Sequence, residues 1–230
     1  MKRHTLTLLI VFSGLWPLPS PVATAQTPPG AGRIDRAQSR VTFTVTCLSS
    51  PALATAAAAA VLSSGLAIGS EAPAFDPQHV WGPDKGSHAC PMCKYGSLQG
   101  VLLWVNTDEL EDAGRIASRL EREIRERDPK RLRAFVIYTN PGGKPIREIE
   151  DLLTSLAEKA SLRQVAVTYV PSPTDPKTSA LYRINPDPRV RNTVFVYRNR
   201  RVVDRFVNLE ADEASLQRLA DSMGRTLEGR

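Results

Sequence analysis

Short apolar runs alternate with helical patterns through the second half of the chain, and this alternation limits the fold more than any other feature. The apolar runs Val101–Val105, Ala134–Tyr138 and Val165–Val170 are typical of buried strands. Strands that alternate with helices pair mostly in parallel, with the helices packed on the faces of the sheet. The sequence therefore predicts an α/β protein built on a central, mostly parallel sheet.

The helices between these strands have recognisable boundaries. Asn106, with Glu109 three residues later, predicts a capped helix that runs to about Arg127. Apolar residues at helical spacing predict a second helix over residues 146–162, and a short helix is expected around residues 178–183. The helices complete the strand–helix alternation and are expected to cover both faces of the sheet.

A hairpin and a last helix follow. The strands Thr193–Tyr197 and Val202–Phe206 flank Asn199 and Arg200, which predict a tight turn. Asp212 precedes an amphipathic helix with its apolar residues on one face. The predicted sheet thus has an antiparallel edge hairpin beside its parallel strands.

The charge pattern gives no sign of nucleic-acid binding. Lysine and arginine number 30 against 24 aspartate and glutamate residues. Arg115, Arg119, Arg122 and Arg125 alternate with glutamates, which predicts a solvated helix face laced with opposite charges. No aromatic residues interleave with these cations. We therefore expect no nucleic-acid partner.

Residues 1–25 have the pattern of an export signal. A basic start precedes the apolar run 5–16, which is too short to span a bilayer as a helix, and residues 23–25 form a small-x-small cleavage site. The pattern predicts a periplasmic or secreted protein with no membrane span after signal cleavage; an uncleaved anchor is the alternative. Residues 26–68 are a linker with an alanine-rich segment, which suits either a helix or a second signal-like segment.

The tetrad Cys-Pro-Met-Cys at 90–93 is the strongest chemical signal in the chain. Two thiols at this spacing can close a small, strained disulfide that is easily reduced, which suits electron transfer. Cys90 is the predicted attacking thiol and Cys93 the resolving thiol. Lys85, His88 and Lys94 lie nearby in sequence and would favour the thiolate.

Two other roles are open for the same thiols. A closed Cys90–Cys93 bridge could simply pin a loop, although so short a loop removes little chain entropy. His88, Cys90 and Cys93 could also bind a soft metal such as Cu(I) or Zn, with Met92 or His79 as a further ligand. Cys47 is left over when the tetrad closes on itself and is assigned no role.

Several segments resemble the thioredoxin-like superfamily. Gly69–Phe75 resembles the G-x-x-A-P-x-F entry of peroxiredoxins and exported thioredoxin-like reductases, and Arg191–Tyr197 resembles the peroxiredoxin strand with Arg-x-Thr at its head. Cys90–Gly96 is similar to a Cys-x-x-Cys-x-Tyr-Gly segment that precedes the first central strand in some bacterial thioredoxin-like proteins. The resemblance implies a thioredoxin-like domain over residues 69–226.

The chain departs from this superfamily where its reactive cysteine usually lies, after the first central strand. Residues 106–108 occupy that position without a cysteine, and the next strand end, at 139–145, has none either. Asn192 stands where the fold usually carries a cis-proline. These departures disfavour peroxidase activity and leave the tetrad as the reactive group.

The sequence thus predicts an exported thiol–disulfide oxidoreductase or redox sensor that acts through Cys90 and Cys93. Its partners would be thiols and disulfides of other exported proteins, and no cofactor is implied. The alternative is a non-enzymatic protein, either a soft-metal carrier or a redox-inactive binding protein on the same fold.

Overall fold

A computed structural model gives the structure of the chain and describes residues 62–170 and 176–228. In chain order the elements are β1 (Gln78–Trp81), α1 (Pro91–Tyr95), β2 (Gln99–Val105), α2 (Glu111–Glu126), β3 (Leu132–Tyr138), α3 (Ile146–Lys159), β4 (Ala166–Tyr169), α4 (Pro176–Leu181), β5 (Asn192–Arg198), β6 (Arg201–Val207) and α5 (Glu213–Glu228). No helix in these two stretches is long and apolar enough to cross a bilayer.

The strands of the described residues form one six-stranded sheet in the order β1-β4-β3-β2-β5-β6. The central strands β2, β3 and β4 pair in parallel. β1 runs antiparallel to β4 at one edge, and the β5–β6 hairpin adds antiparallel pairs beside β2. The α/β class and the edge hairpin are confirmed, and parallel pairing is confined to the three central strands.

Side chains alternate across the strands, and both faces of the sheet are buried. The first face packs against α2, α3 and α5 through aliphatic residues such as Leu103 and Val136. The second face carries larger rings, including Trp104 and Phe135, and is covered by Met92 of α1 and by the segment that leads into β1. Helices therefore cover both faces, as predicted, and the tetrad lies on the second face.

The predicted cap of α2 is wrong, because α2 begins at Glu111. The Asn106 side chain instead donates to the carbonyl oxygen of Val190 at 3.1 Å and accepts from the Thr139 hydroxyl at 2.9 Å. These partners lie in other segments, so tertiary hydrogen bonds displace a local cap. For α5, the Asp212 carboxylate accepts the backbone N–H of Ser215 at 2.9 Å and caps the helix as expected.

The prediction that the charges of α2 are solvated is wrong for three of them. Arg119, Glu121 and Glu123 are buried. Arg119 donates to Glu123 at 2.7 Å and to Glu213 of α5 at 3.1 Å. Glu121 accepts backbone N–H groups of the loop 163–165. α5 and this loop cover that side of α2, so only part of its charged face meets solvent.

The described end of the segment 26–68 is attached to the sheet. The Ser64 and Thr193 hydroxyls lie 2.7 Å apart, and the Gly65 N–H donates to the Arg183 carbonyl at 2.7 Å. A Cβ at Gly65 would lie 2.6 Å from the Phe195 ring, so only glycine fits there. The predicted signal and Cys47 lie outside the described residues and stay predictions.

Candidate functional site

Cys90 and Cys93 are joined by a disulfide at the start of α1, with their Cα atoms 5.2 Å apart. Cys90 is the residue before the helix, and its Sγ accepts the backbone N–H of Cys93 at 3.0 Å. Pro91 occupies the first helical position, where a backbone N–H has no intrahelical partner and is not needed. The tetrad therefore forms the disulfide and also begins the helix.

The residues of the tetrad differ sharply in exposure. Pro91 and Met92 are buried, and Met92 is 0% exposed within the core of the second face. Cys90 is half-buried and packs against that core, whereas Cys93 is exposed. Met92 thus anchors α1 to the sheet, and Cys93 is presented at the surface.

His79 on β1 holds the loop that leads to Cys90. Its ring is 1% exposed, and its Nε2 lies 2.9 Å from the carbonyl oxygen of Ala89. The backbone of His79 also exchanges hydrogen bonds with Gly86 and Ser87, so the loop folds back on β1. Burial lowers the pKa of His79, so the neutral ring donates through Nε2, while Nδ1 is buried and has no hydrogen-bond partner among the described residues.

Asp84 connects the same loop to α1. Its carboxylate is paired with the Lys94 ammonium and accepts the Tyr95 hydroxyl at 2.9 Å. Burial alone would raise the pKa of Asp84, but the hydrogen bonds from Lys94 and Tyr95 lower it. Sequence reasoning missed Asp84, because nothing in the local pattern shows that a loop residue pairs with a helix ten positions later.

Tyr95 and Gly96 fix the far end of α1. The Tyr95 ring packs 5.8 Å from the Phe135 ring, with the Arg133 guanidinium 5.2 Å above it. The Arg200 N–H donates to the Gly96 carbonyl at 2.7 Å and ties the helix end to the β5–β6 turn. The Tyr-Gly pair after the tetrad therefore attaches α1 to two neighbouring elements.

The other residues near the tetrad in sequence make contacts away from the two sulfurs or lie exposed. His88 is exposed, and the Lys85 ammonium lies 5.1 Å from the centre of the Trp81 ring. Trp81 donates to the Leu162 carbonyl at 2.8 Å and packs on the first face, away from Cys90. Lys94, which the sequence predicts to favour the thiolate, is paired with the Asp84 carboxylate.

The metal alternative has no preformed site in the part of the chain that the structure describes. No group of three or more histidine, cysteine, aspartate or glutamate side chains there lies close enough to hold a metal ion. The sulfurs of Cys90 and Cys93 are bonded to each other and not free as ligands. The set His88, Cys90 and Cys93 therefore stays a prediction about the reduced protein.

The carboxyl end of β2, where the superfamily resemblance places a reactive cysteine, carries a cleft of about 360 Å³. Thr107, Leu110 and Arg191 are among its lining residues, and Arg191 lies 3.3 Å from the Asp112 carboxylate. No cysteine lines this cleft, and the described residues contain no cis peptide bond. The dithiol precedes β2 instead, on the face opposite α2.

The sequence matches no known family model and no curated protein. Among solved structures, it is similar to a protein from Chlorobium tepidum described as a thiol:disulfide interchange protein, DsbE. The two are 14% identical with a TM-score of 0.54, over 70% of this chain and 99% of that chain.

Two further solved structures are similar to this chain. The yeast mitochondrial 1-Cys peroxiredoxin is 16% identical with a TM-score of 0.51, over 71% of this chain and 78% of that chain. BsSco, a member of the Sco family of cytochrome c oxidase assembly proteins, is 11% identical with a TM-score of 0.52, over 74% of this chain and 99% of that chain. At such identities the similarity shows the fold, and the fold is thioredoxin-like.

Proposed function

We propose that this thioredoxin-like protein exchanges disulfides with thiols of other exported proteins, or senses their redox state, through Cys90 and Cys93. The observation that carries the proposal is the disulfide between these residues, with Cys93 exposed at the surface of the domain. An accessible disulfide can be attacked by a partner thiolate, whereas a bridge enclosed by the core cannot.

The surroundings of the bridge support exchange rather than a purely structural role. Closing a four-residue loop stabilises a fold by only about 2 kcal/mol on chain entropy. α1 is already held by Met92, by the Asp84 contacts and by the hydrogen bond at Gly96. The helix therefore has anchors that do not depend on the disulfide.

Export is the second part of the proposal and is supported by the pattern of residues 1–25. Disulfides persist in oxidising compartments, where a Cys-x-x-Cys pair has partners to exchange with. Two of the similar proteins support the same chemistry, since one is described as a thiol:disulfide interchange protein and BsSco has a disulfide switch.

Thiol trapping across glutathione redox buffers tests the proposal. A Cys90–Cys93 couple that titrates between about −120 and −270 mV lies in the range of exchange catalysts, whereas a couple below about −300 mV marks a structural bridge. The matched control is the Cys90→Ser, Cys93→Ser double variant. It keeps only Cys47, so its alkylation measures the trapping of that thiol alone. Thiols that resist alkylation until a chelator is added would support the metal carrier instead.

Turnover gives a second test. The protein should oxidise the thiols of a reduced protein substrate, or reduce its disulfides, and Cys90→Ser should abolish turnover. Activity that survives replacement of both Cys90 and Cys93 would overturn the proposal and favour a redox-inactive binding protein.

A further inference from the structure

The two sulfurs of the disulfide have different surroundings. Cys93 is exposed, whereas Cys90 is half-buried and packs against the core of the second face. The Cys90 Sγ accepts the N–H of Cys93 at 3.0 Å. A hydrogen bond of this kind stabilises a thiolate more than a neutral sulfur. One sulfur is therefore open to attack, and the other is the better leaving group.

We propose that a partner thiol attacks the Sγ of Cys93 and that Cys90 leaves as the thiolate. This order is the reverse of the one that the sequence pattern predicts, and it rests on the proposed exchange function. Exchange depends on access to the attacked sulfur and on the stability of the thiolate that leaves. The greater exposure of Cys93 and the hydrogen bond to the Cys90 sulfur both favour attack on the Cys93 sulfur.

The backbone before Cys90 supports the same order. His79 holds the Ala89 carbonyl at 2.9 Å, and Met92 anchors the helix that follows. Cys90 therefore lies between Ala89, which His79 holds, and Met92, which packs in the core. Cys93 is the more exposed of the two residues, so a partner thiol reaches its sulfur more easily than that of Cys90.

The chemistry balances without a further reactant. The partner thiolate forms a bond to the Cys93 Sγ as the Cys90–Cys93 bond breaks, and the electron pair of that bond moves to the Cys90 sulfur. A second partner thiolate then attacks the partner sulfur of the mixed disulfide, which forms the partner disulfide and releases the Cys93 thiolate. The partner thiols lose two electrons and two protons, and the two cysteines gain them.

Mapping the mixed disulfide tests the order of attack. The full chain carrying Cys47→Ala is oxidised, mixed with glutathione, quenched with acid and alkylated. Trypsin can release residues 86–94 as one peptide, because Lys85 and Lys94 bound it, and fragment-ion sequencing then locates the glutathione. We expect glutathione on Cys93 in about tenfold excess over Cys90.

Single-thiol variants provide a second measurement. In the Cys47→Ala background, Cys90→Ser leaves Cys93 and Cys93→Ser leaves Cys90. Near pH 10, where ordinary cysteine thiols are ionised, we expect a bulky maleimide to react about tenfold faster with Cys93 than with Cys90. In guanidinium chloride the two rates should become equal, which shows that the folded surroundings cause the difference.

The outcomes separate this inference from the proposed function. Glutathione on Cys90, or equal maleimide rates in the folded variants, overturns the order of attack while exchange itself stands. A disulfide that glutathione does not reduce, with no adduct on either cysteine, overturns both.

Discussion

The Nε2 of His79 lies 2.9 Å from the carbonyl oxygen of Ala89, the residue before Cys90. This contact attaches the loop before the tetrad to β1, a strand at the edge of the sheet. The ring is buried and faces Phe135 edge-on, with centroids 6.4 Å apart. A histidine that sequence spacing suggests as a metal ligand is thus a backbone hydrogen-bond donor that positions the dithiol.

Replacing His79 with leucine should loosen the tetrad. The Ala89 carbonyl loses its donor, and Cys90, which supplies the acceptors for the N–H groups of Cys93 and Lys94, is less firmly held. We expect the amides of Cys93 and Lys94 to exchange hydrogen about tenfold faster, as measured by NMR. His79→Gln keeps a donor and should exchange more slowly than His79→Leu, and His88→Leu is the exposed control. Unchanged exchange in His79→Leu would contradict the positioning role.

Stability should decrease on mild acidification because of His79. Burial lowers the pKa of this ring in the folded protein, so the unfolded chain binds the proton more readily below about pH 6.5. We expect the free energy of unfolding to fall between pH 7 and pH 5, by at most about 1.4 kcal/mol per pH unit from this group. Denaturant unfolding at several pH values measures the slope. His79→Gln should remove it, and a slope that persists in this variant would assign it to another group.

The sequence was sufficient for the strands and helices that follow clear periodicity, from β2 to α5. It was insufficient for β1, because a four-residue edge strand with a buried histidine carries no clear alternation. It also misplaced the start of α2, since Asn106 carries a capping signal that tertiary partners satisfy instead. Local patterns predict an element reliably only where no distant segment competes for the same polar groups.

The candidate site, like the fold, could be predicted only where the sequence pattern is local. The spacing of Cys90 and Cys93 is local, and it predicted the pair that the structure joins. The contacts of His79 and Asp84 depend on how the loop between β1 and α1 folds back, and their partners lie ten or more positions away. Exposure likewise depends on what α1 packs against, so the sequence did not indicate that Cys93 is the more open sulfur.

Removing the charge of Asp84 should make the reduced thiols more reactive. This carboxylate neutralises Lys94, the residue next to Cys93. Asp84→Asn removes a negative charge and frees the ammonium, and both changes favour a nearby thiolate. We expect alkylation of Cys93 at pH 7 to be about two- to fivefold faster in the Cys47→Ala, Cys90→Ser background. Asp112→Asn, which breaks an ion pair with Arg191 elsewhere, is the matched control. A slower rate in Asp84→Asn would show that the carboxylate acts through structure rather than charge.

Reduction of the disulfide should leave the fold intact. Closing a four-residue loop contributes only about 2 kcal/mol, and the contacts at Met92, Asp84 and Gly96 do not involve the two sulfurs. We expect the reduced protein to unfold cooperatively, with a free energy of unfolding lower by about 2 kcal/mol or less. Guanidinium titrations of the oxidised and reduced Cys47→Ala protein measure the difference. Global unfolding on reduction would identify the bridge as a structural requirement instead.

The buried ion pairs of α2 should matter far more than the exposed pair on the same helix. Glu123 binds Arg119 and Arg127, and the side chains of Arg119 and Glu123 are 7% and 8% exposed. Burial would raise the pKa of Glu123, but its hydrogen bonds to Arg127 and Arg119 lower it. Glu123→Gln leaves the buried Arg119 guanidinium with only the exposed Glu213 carboxylate and should lower the free energy of unfolding by about 3 kcal/mol at pH 7.

The matched control is Glu111→Gln, which breaks the solvent-exposed pair with Arg115 and should cost less than about 0.5 kcal/mol. Because the folded protein lowers the pKa of Glu123, the stabilisation is present above about pH 4.3 and is lost as the pH falls further. The difference between wild type and Glu123→Gln, measured by urea unfolding, should therefore shrink toward pH 3. Equal effects of the two substitutions at pH 7 would mean that solvent reaches the Arg119 pair and that α5 does not cover it.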